Sequence, residues 1–171
     1  MLTELIRLFA QLAVMRKSPE EVPASPVLLM LTIIGYFGGQ WVVGTVLPPM
    51  KGPWINRLLL DVAFTFVWYA LLMYLVKKPE RFVQTGTAVF GFQILLLPPS
   101  IAIAGLQQAL DKESIWQYPL SWLTLGLFIW IVAANSHIVK AALEWSMAPS
   151  VALVILQTLV GELLALTLFQ S

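Results

Sequence analysis

Three charged side chains inside long apolar segments are the first candidates for chemistry in this sequence. Asp61 lies in LLLDVAFTFVWYALLMYL, and Glu162 lies in LVGELLAL. Arg57 precedes Asp61 by four residues, so the two side chains share one face of a helix and an ion pair is available. Ionisable groups at membrane depth face protein and pair with one another, or they mark an ion pathway. The first interpretation is that Arg57 and Asp61 pair and hold neighbouring helices together.

The same residues also allow a functional interpretation. The second and fifth apolar segments are predicted to run in opposite directions across the bilayer, which places Asp61 and Glu162 near the same boundary. Asp61, Arg57 and Glu162 can then meet. Two carboxylates that share one arginine would form a proton or cation site.

A second polar group lies near the end of the fourth apolar segment, in ANSHIVKAALE. Its members are Asn135, His137, Lys140 and Glu144. Lys140 and Glu144 have the i,i+4 spacing of a helical ion pair. We expect an interfacial cap in which the lysine extends toward water. The alternative is a histidine that senses pH.

Signatures of catalysis and of cofactor binding are missing from the sequence. It contains no H-E-x-x-H, no G-x-S-x-G, no phosphate-binding loop and no dinucleotide-binding fingerprint. It has no cysteine, and His137 is its one histidine, so thiolate chemistry and a histidine metal cluster are excluded. The net charge of +1 provides no basic field for nucleic acid. We expect a protein that is not an enzyme, holds no cofactor or metal and binds no nucleic acid.

The elements that position these residues are predicted from composition and from apolar runs. The chain is 59% hydrophobic and 11% charged, whereas an average soluble domain has about 25% charged residues. A helix of about 20 apolar residues crosses the hydrocarbon layer. Five such segments are present, at approximately 27–47, 55–76, 82–106, 115–139 and 149–169. The predicted fold class is all-α, a bundle of five transmembrane helices over residues 26–171.

Residues 1–25 precede this bundle and have a different pattern. Apolar residues recur at helical spacing in MLTELIRLFAQLAVM, which is too short to span a membrane. This segment is predicted to be an amphipathic helix that lies in the membrane interface. Three prolines interrupt regular structure in the following RKSPEEVPASP, which is predicted to be a cytoplasmic hinge.

Glycine and proline indicate where the spans approach one another and bend. Four glycines in the first and third spans offer surfaces for close helix contact, namely Gly35, Gly39, Gly86 and Gly91. The first two have G-x-x-x-G spacing, and we expect the four to pack helices within the chain. The dipeptide Pro98–Pro99 removes two backbone donors and is expected to kink or break the third span.

The distribution of basic residues predicts the orientation. Five crossings place the chain ends on opposite sides of the membrane. Seven basic residues lie on the side of the amino terminus: Arg7, Arg16, Lys17, Lys77, Lys78, Arg81 and Lys140. Three lie on the other side: Lys51, Arg57 and Lys112. Because cytoplasmic segments carry the excess of Lys and Arg, the amino terminus is predicted to be cytoplasmic, with the carboxyl terminus on the opposite side of a bacterial inner membrane.

Several features together resemble a known family. A proline-bearing segment, SPEEVPASP, precedes the first span, and Arg81 and Phe82 open the third; the fourth begins at Trp116 and ends in SHIVKAAL. In these features and in its five closely spaced spans, nearly the whole chain resembles the Yip (Ypt-interacting protein) domain of eukaryotic trafficking membranes and of many bacterial proteins. The resemblance implies a non-enzymatic membrane protein that binds other membrane components. The long amino-terminal region and the aspartate-leucine-tyrosine-glycine-proline motif of eukaryotic members are absent, which argues against a small GTPase as partner.

The leading hypothesis from the sequence is an accessory or scaffold subunit of a membrane assembly, because most of the chain is embedded and its loops are short. Its partners would be membrane lipids and other membrane proteins, or further copies of the chain. The alternative is a small transporter or a proton or ion conductor that uses Asp61 and Glu162, with backbone carbonyls freed at Pro98 and Pro99. A third hypothesis is lipid handling through the amphipathic helix.

Overall fold

The computed structural model describes residues 2–46, 54–111 and 113–169. Within these ranges it contains helices and no strand, so the predicted all-α class is confirmed. The α-helices are α1 (Leu2–Ala13), α2 (Pro26–Val46), α3 (Trp54–Leu75), α4 (Phe82–Ala109), α5 (Gln117–Leu143) and α6 (Met147–Phe169). Short 3-10 helices lie at Pro19–Glu21 and Pro79–Arg81. Three residues used in the predictions lie outside the described residues, namely Leu47, Lys51 and Lys112.

Helices α2 to α6 have the length and the apolar composition to cross a bilayer. At about 1.5 Å per residue each is about 30 Å long or longer, the thickness of the hydrocarbon layer. The chain is therefore an integral membrane protein. Below, the N-terminal end of the bundle is the end with the α1–α2 linker and the α3–α4 and α5–α6 turns. The C-terminal end is the one at which α3 begins and α6 ends.

Helix α4 lies at the centre of the bundle and packs against α1, α2, α3 and α5. Side chains of α4 lie against Gly35 and Gly39 of α2, and Leu29 of α2 lies against Gly86 of α4. A methyl group at Gly39 would clash with a leucine of α4. These glycines therefore allow close packing of α2 on α4 within one chain.

Helix α4 continues through Pro98 and Pro99, so the prediction of a break is wrong, whereas a kink at this dipeptide stays a prediction. The prolines have no N–H to donate to the carbonyls one turn earlier. The Ser100 hydroxyl donates a 2.7 Å hydrogen bond to the Leu96 carbonyl, which is not one of the two carbonyls, of Ile94 and Leu95, that the prolines leave without a backbone donor. Helices on several sides of α4 also hold it in place, as is common for proline in membrane helices.

Helix α1 packs against protein at its carboxyl end. Leu12 is 0% exposed and Ala13 is 2% exposed. The ring of Phe9 fills the space beside Gly91 of α4, and the indole N–H of Trp130 in α5 donates a 2.7 Å hydrogen bond to the Ala13 carbonyl. Helices α4 and α5 therefore cover part of the apolar side of α1, and its placement in the membrane interface stays a prediction.

The linker between α1 and α2 is also bound to the bundle. The side-chain amide of Gln84 in α4 donates hydrogen bonds to the carbonyls of Glu20 and Val22, at 3.2 and 3.1 Å. Val22 is 1% exposed. At the start of α2 the Ser25 hydroxyl accepts a 3.3 Å hydrogen bond from the Leu28 N–H, which satisfies a backbone donor in the first turn.

A closed apolar core fills the N-terminal half of the bundle. Side chains that are fully buried come together there from four helices: Leu12 of α1, Met73 of α3, Phe92 of α4 and Ile138 of α5. Among the described residues this core separates the N-terminal end from the polar region described next.

Candidate functional site

A cavity of about 520 Å³ lies between helices α2 to α6. Arg57 and Asp61 of α3 line it, together with Glu162 of α6. Asp61 is seven residues from the start of α3 and Glu162 is seven residues from the end of α6. Both therefore lie about 10 Å from the C-terminal end of the bundle. The structure brings the three charged residues identified in the sequence to one cavity.

Uncharged polar side chains from every spanning helix line the same cavity. They are Tyr36 and Gln40 of α2, Thr65 of α3, Gln93 of α4, Asn135 of α5, and Gln157 and Thr158 of α6. Polar groups at membrane depth are costly unless they face protein or a water-filled space. Their concentration around one volume identifies the cavity as the candidate site.

Asp61 is bound by Tyr36. The Tyr36 hydroxyl donates a 2.8 Å hydrogen bond to Oδ2 of Asp61, and Nε2 of Gln40 donates a 3.3 Å hydrogen bond to the Tyr36 oxygen. In the described part of the chain no ion pair joins Arg57 to Asp61, so the predicted local pair is wrong. The Tyr36 hydroxyl, from the neighbouring helix, binds Asp61 in place of Arg57. The Asp61 carboxylate thereby accepts a charge-assisted hydrogen bond.

Arg57 and Glu162 are available to the cavity. Within the described ranges, neither side chain takes part in an ion pair or a hydrogen bond. Arg57 is half-buried, and Glu162 is exposed. Asp61 is also exposed, because one of its sides faces the cavity. The cavity therefore presents one cationic and two anionic groups that do not neutralise one another by direct pairing.

Asn135 lies at the deep side of the cavity, toward the apolar core. It is eight residues before the end of α5, and its side chain is 8% exposed. Its Oδ1 has no hydrogen-bond partner among the described residues. A buried acceptor without a donor costs about 1–3 kcal/mol.

The second polar group of the sequence analysis does not form a site. Asn135 faces the cavity, whereas Nε2 of His137 lies 3.1 Å from the carbonyl oxygen of Lys17 in the linker. Lys140 is exposed. The expected Lys140–Glu144 pair is wrong, because Glu144 is engaged elsewhere.

Glu144 belongs to an ionic cluster at the N-terminal end of the bundle. Its carboxylate binds Lys78 at 2.6 Å and Arg81 at 2.7 Å, and Arg81 also binds Glu20 at 3.0 Å. The hydrogen bond from Lys78, assisted by the charges of Lys78 and Arg81, lowers the pKa of Glu144 below its usual value. Glu144 has a left-handed backbone, with φ of 59°. The cluster joins the α5–α6 turn to the α3–α4 turn and to the linker.

Some cavity residues were missed by sequence reasoning. They are Tyr36, Gln40, Gln93 and Gln157. A signal was available, because α2, α4, α5 and α6 each carry an amide near the middle of an apolar run. The hydrogen bond between Tyr36 and Asp61 could not be found in this way, because it depends on how α2 and α3 rotate relative to each other.

Comparisons of the chain with protein-family models, with curated proteins and with solved structures found no match. Among the described residues no group of three or more His, Cys, Asp or Glu side chains is placed to hold a metal ion. The side chains that line the cavity can form hydrogen bonds and ion pairs.

Proposed function

We propose that this membrane protein binds a small polar solute in the cavity and carries it across the bilayer. The observation that supports the proposal most is the concentration of Arg57, Asp61, Glu162 and uncharged polar side chains around one volume of about 520 Å³. Small-molecule sites have volumes of about 300–1,000 Å³. Charged side chains with a purely structural role would pair with one another, whereas Arg57, Asp61 and Glu162 line a cavity.

The one-sided shape of the cavity favours a carrier over an open conductor. The cavity extends from Arg57, near the C-terminal end, to Asn135. Beyond Asn135, toward the N-terminal end, lie Ile138 and Met73, which are fully buried apolar side chains. A conductor needs a continuous polar path, whereas a carrier opens its site to one side at a time. Transport would then require a second conformation in which the apolar core separates.

The test is a binding screen followed by uptake into liposomes. The panel comprises L-amino acids, methylamine, ethanolamine, acetate, succinate, glucose, Na⁺ and K⁺, each added to protein purified in mild detergent. A solute of this class should raise the melting temperature of the parent and enter proteoliposomes faster than empty liposomes. The double substitution Asp61→Asn with Glu162→Gln should abolish both effects. Glu80→Gln, an exposed change outside the cavity, is the matched control.

Two results would contradict this function. In one, no member of the panel changes the melting temperature or enters proteoliposomes. In the other, uptake in the double variant equals uptake in the parent.

A second candidate function is the accessory or scaffold role implied by the resemblance to the Yip family. Helix α6 favours it, because only 6% of its spanning window is buried inside the protein, against 22–28% in the other four spanning helices. Its free apolar surface is available to lipid, to another membrane protein or to a second copy of the chain. Cross-linking from single cysteines at Leu159 or Leu163 in native membranes tests this role. A reproducible cross-linked species supports an assembly, and monomer alone contradicts it.

A further inference from the structure

We propose that the solute is a small zwitterion whose ammonium and carboxylate groups lie close together, as in an α-amino acid. This inference rests on the proposed function and names the class of its solute. Its basis is that Arg57 and the two carboxylates line one cavity but form no ion pair with one another in the described ranges. A cavity that holds both signs of charge apart is suited to a ligand that carries both.

The anionic half of the site consists of Asp61 and Glu162. Tyr36 binds Oδ2 of Asp61, which fixes the carboxylate and leaves Oδ1 for a ligand. Glu162 lines the cavity from α6, a different helix. An ammonium group has three donors and no acceptor, so two carboxylates can bind it together.

The cationic half consists of Arg57. Its guanidinium offers donors in a planar fork that binds a carboxylate through two parallel hydrogen bonds. Arg57 lies one helical turn before Asp61, so their Cβ atoms are about 5–6 Å apart. Long side chains from such neighbouring positions can reach two groups that are separated by one carbon atom. The spacing therefore fits an α-amino acid.

The remaining volume accommodates a side chain. The apolar and aromatic lining includes Phe64, Phe128 and Ile131, and Gln93 and Asn135 add amide groups to it.

Ligands with a single charge fit less well. A simple cation is attracted by Asp61 and Glu162 but leaves Arg57 without an anion, and a simple anion pairs with Arg57 but faces two carboxylates. Repulsion of this kind is how binding sites reject competitors. A zwitterion gains from both halves and meets neither penalty when it is correctly oriented.

The experiment compares L-alanine, L-serine and L-glutamine with analogues that lack one charge. L-alaninamide lacks the carboxylate, and propionate lacks the ammonium. Affinity for the parent protein in mild detergent is measured by titration calorimetry. We expect both analogues to bind at least about 10-fold more weakly than L-alanine, as the loss of one charged contact implies. Because this comparison uses the unaltered chain, it does not depend on any variant folding.

Variants then assign each half of the site. Arg57→Met should remove the preference for L-alanine over L-alaninamide, and Arg57→Lys should keep part of it. Glu162→Gln should reduce the preference for L-alanine over propionate. Lys140→Met removes an exposed cation outside the cavity and should change neither ratio.

The outcomes separate the two proposals. If L-alaninamide or methylamine binds as tightly as L-alanine, and Arg57→Met leaves that ratio unchanged, the zwitterion inference is overturned while solute binding stands. If acetate or glucose binds and the amino acids do not, the inference is overturned in the same way. If no solute of the wider panel binds, both proposals fail.

Discussion

The hydroxyl of Tyr36 in α2 donates a 2.8 Å hydrogen bond to the carboxylate of Asp61 in α3. This bond explains how a carboxylate is accommodated in an apolar helix without a neighbouring cation. It also leaves Arg57, one turn earlier, available to the cavity. The contact therefore has a structural role, because it joins two helices, and a functional one, because it positions an anionic group.

Removal of the Tyr36 hydroxyl should destabilise the bundle. In Tyr36→Phe the Asp61 carboxylate loses its donor, and we expect a loss of about 0.5–1.5 kcal/mol in the free energy of unfolding. The measurement is reversible unfolding in mixed micelles. Tyr74→Phe is the control, since Tyr74 lies on α3, the helix of Asp61, and is 72% exposed. Equal stabilities of the two variants would show that the hydrogen bond contributes nothing.

The contact of α1 with α4 should depend on Gly91. A methyl group there would overlap the ring of Phe9, so Gly91→Ala should displace α1. The chain has no cysteine, and Ala13 is 2% exposed, so a single cysteine at Ala13→Cys reports on the position of α1. This cysteine should resist maleimide in the parent and react with it in the Gly91→Ala background. Gly126→Ala, where nothing lies within 4 Å of the added methyl, should leave the reporter protected. Protection in both backgrounds would contradict the packing of Phe9 on Gly91.

The ionic cluster at the N-terminal end should make stability depend on pH. Lys78 and Arg81 lower the pKa of Glu144 below the ordinary value of a glutamate. A carboxylate with a lowered folded pKa stabilises fully above its unfolded pKa, and the contribution is lost as pH falls through the folded value. Glu144→Gln should therefore melt below the parent at pH 7, and the difference should shrink below about pH 4.5. For the control Glu80→Gln, the difference in melting temperature from the parent should not shrink at low pH. A difference for Glu144→Gln that stays constant with pH would contradict the role of Glu144 in the ionic cluster.

The predicted orientation can be tested with two single cysteines. Glu80 is an exposed residue of the α3–α4 turn, and Glu113 is an exposed residue of the α4–α5 connection. With the amino terminus in the cytoplasm, a membrane-impermeant maleimide applied to intact bacteria should label Glu113→Cys and spare Glu80→Cys. Permeabilised cells, in which both should react, are the control. Labelling of Glu80→Cys alone in intact cells would reverse the orientation.

The sequence predicts features that depend on one segment of the chain, and it does not predict contacts between segments. Each span was predicted from the length of an apolar run, because lipid requires that length, and the boundaries differ by at most four residues, at the end of α5. The Arg57–Asp61 and Lys140–Glu144 pairs were predicted from i,i+4 spacing and are wrong. Spacing describes only partners on the same helix, whereas the actual partners, Tyr36 for Asp61 and Lys78 and Arg81 for Glu144, come from other elements.

The two prolines of α4 show a second difference between the sequence prediction and the structure. Pro98 and Pro99 were expected to break or kink the third span, since each removes a helical hydrogen bond. The helix is continuous through both residues, and α1, α2, α3 and α5 pack around it. A single sequence does not display this tertiary packing, which we infer outweighs the loss of two backbone hydrogen bonds; a kink stays a prediction.

We infer that lipid surrounds the bundle, whereas the cavity that Glu162 lines admits water and polar solutes. The most direct measurement compares single cysteines at two adjacent positions of α6, Glu162→Cys and Leu163→Cys, in proteoliposomes. Glu162 lines the cavity, whereas Leu163 is 60% exposed on the apolar surface. With a charged, membrane-impermeant thiosulfonate reagent, we expect rapid modification of Glu162→Cys and none of Leu163→Cys. Equal reactivity at the two positions, or protection of both, would contradict it.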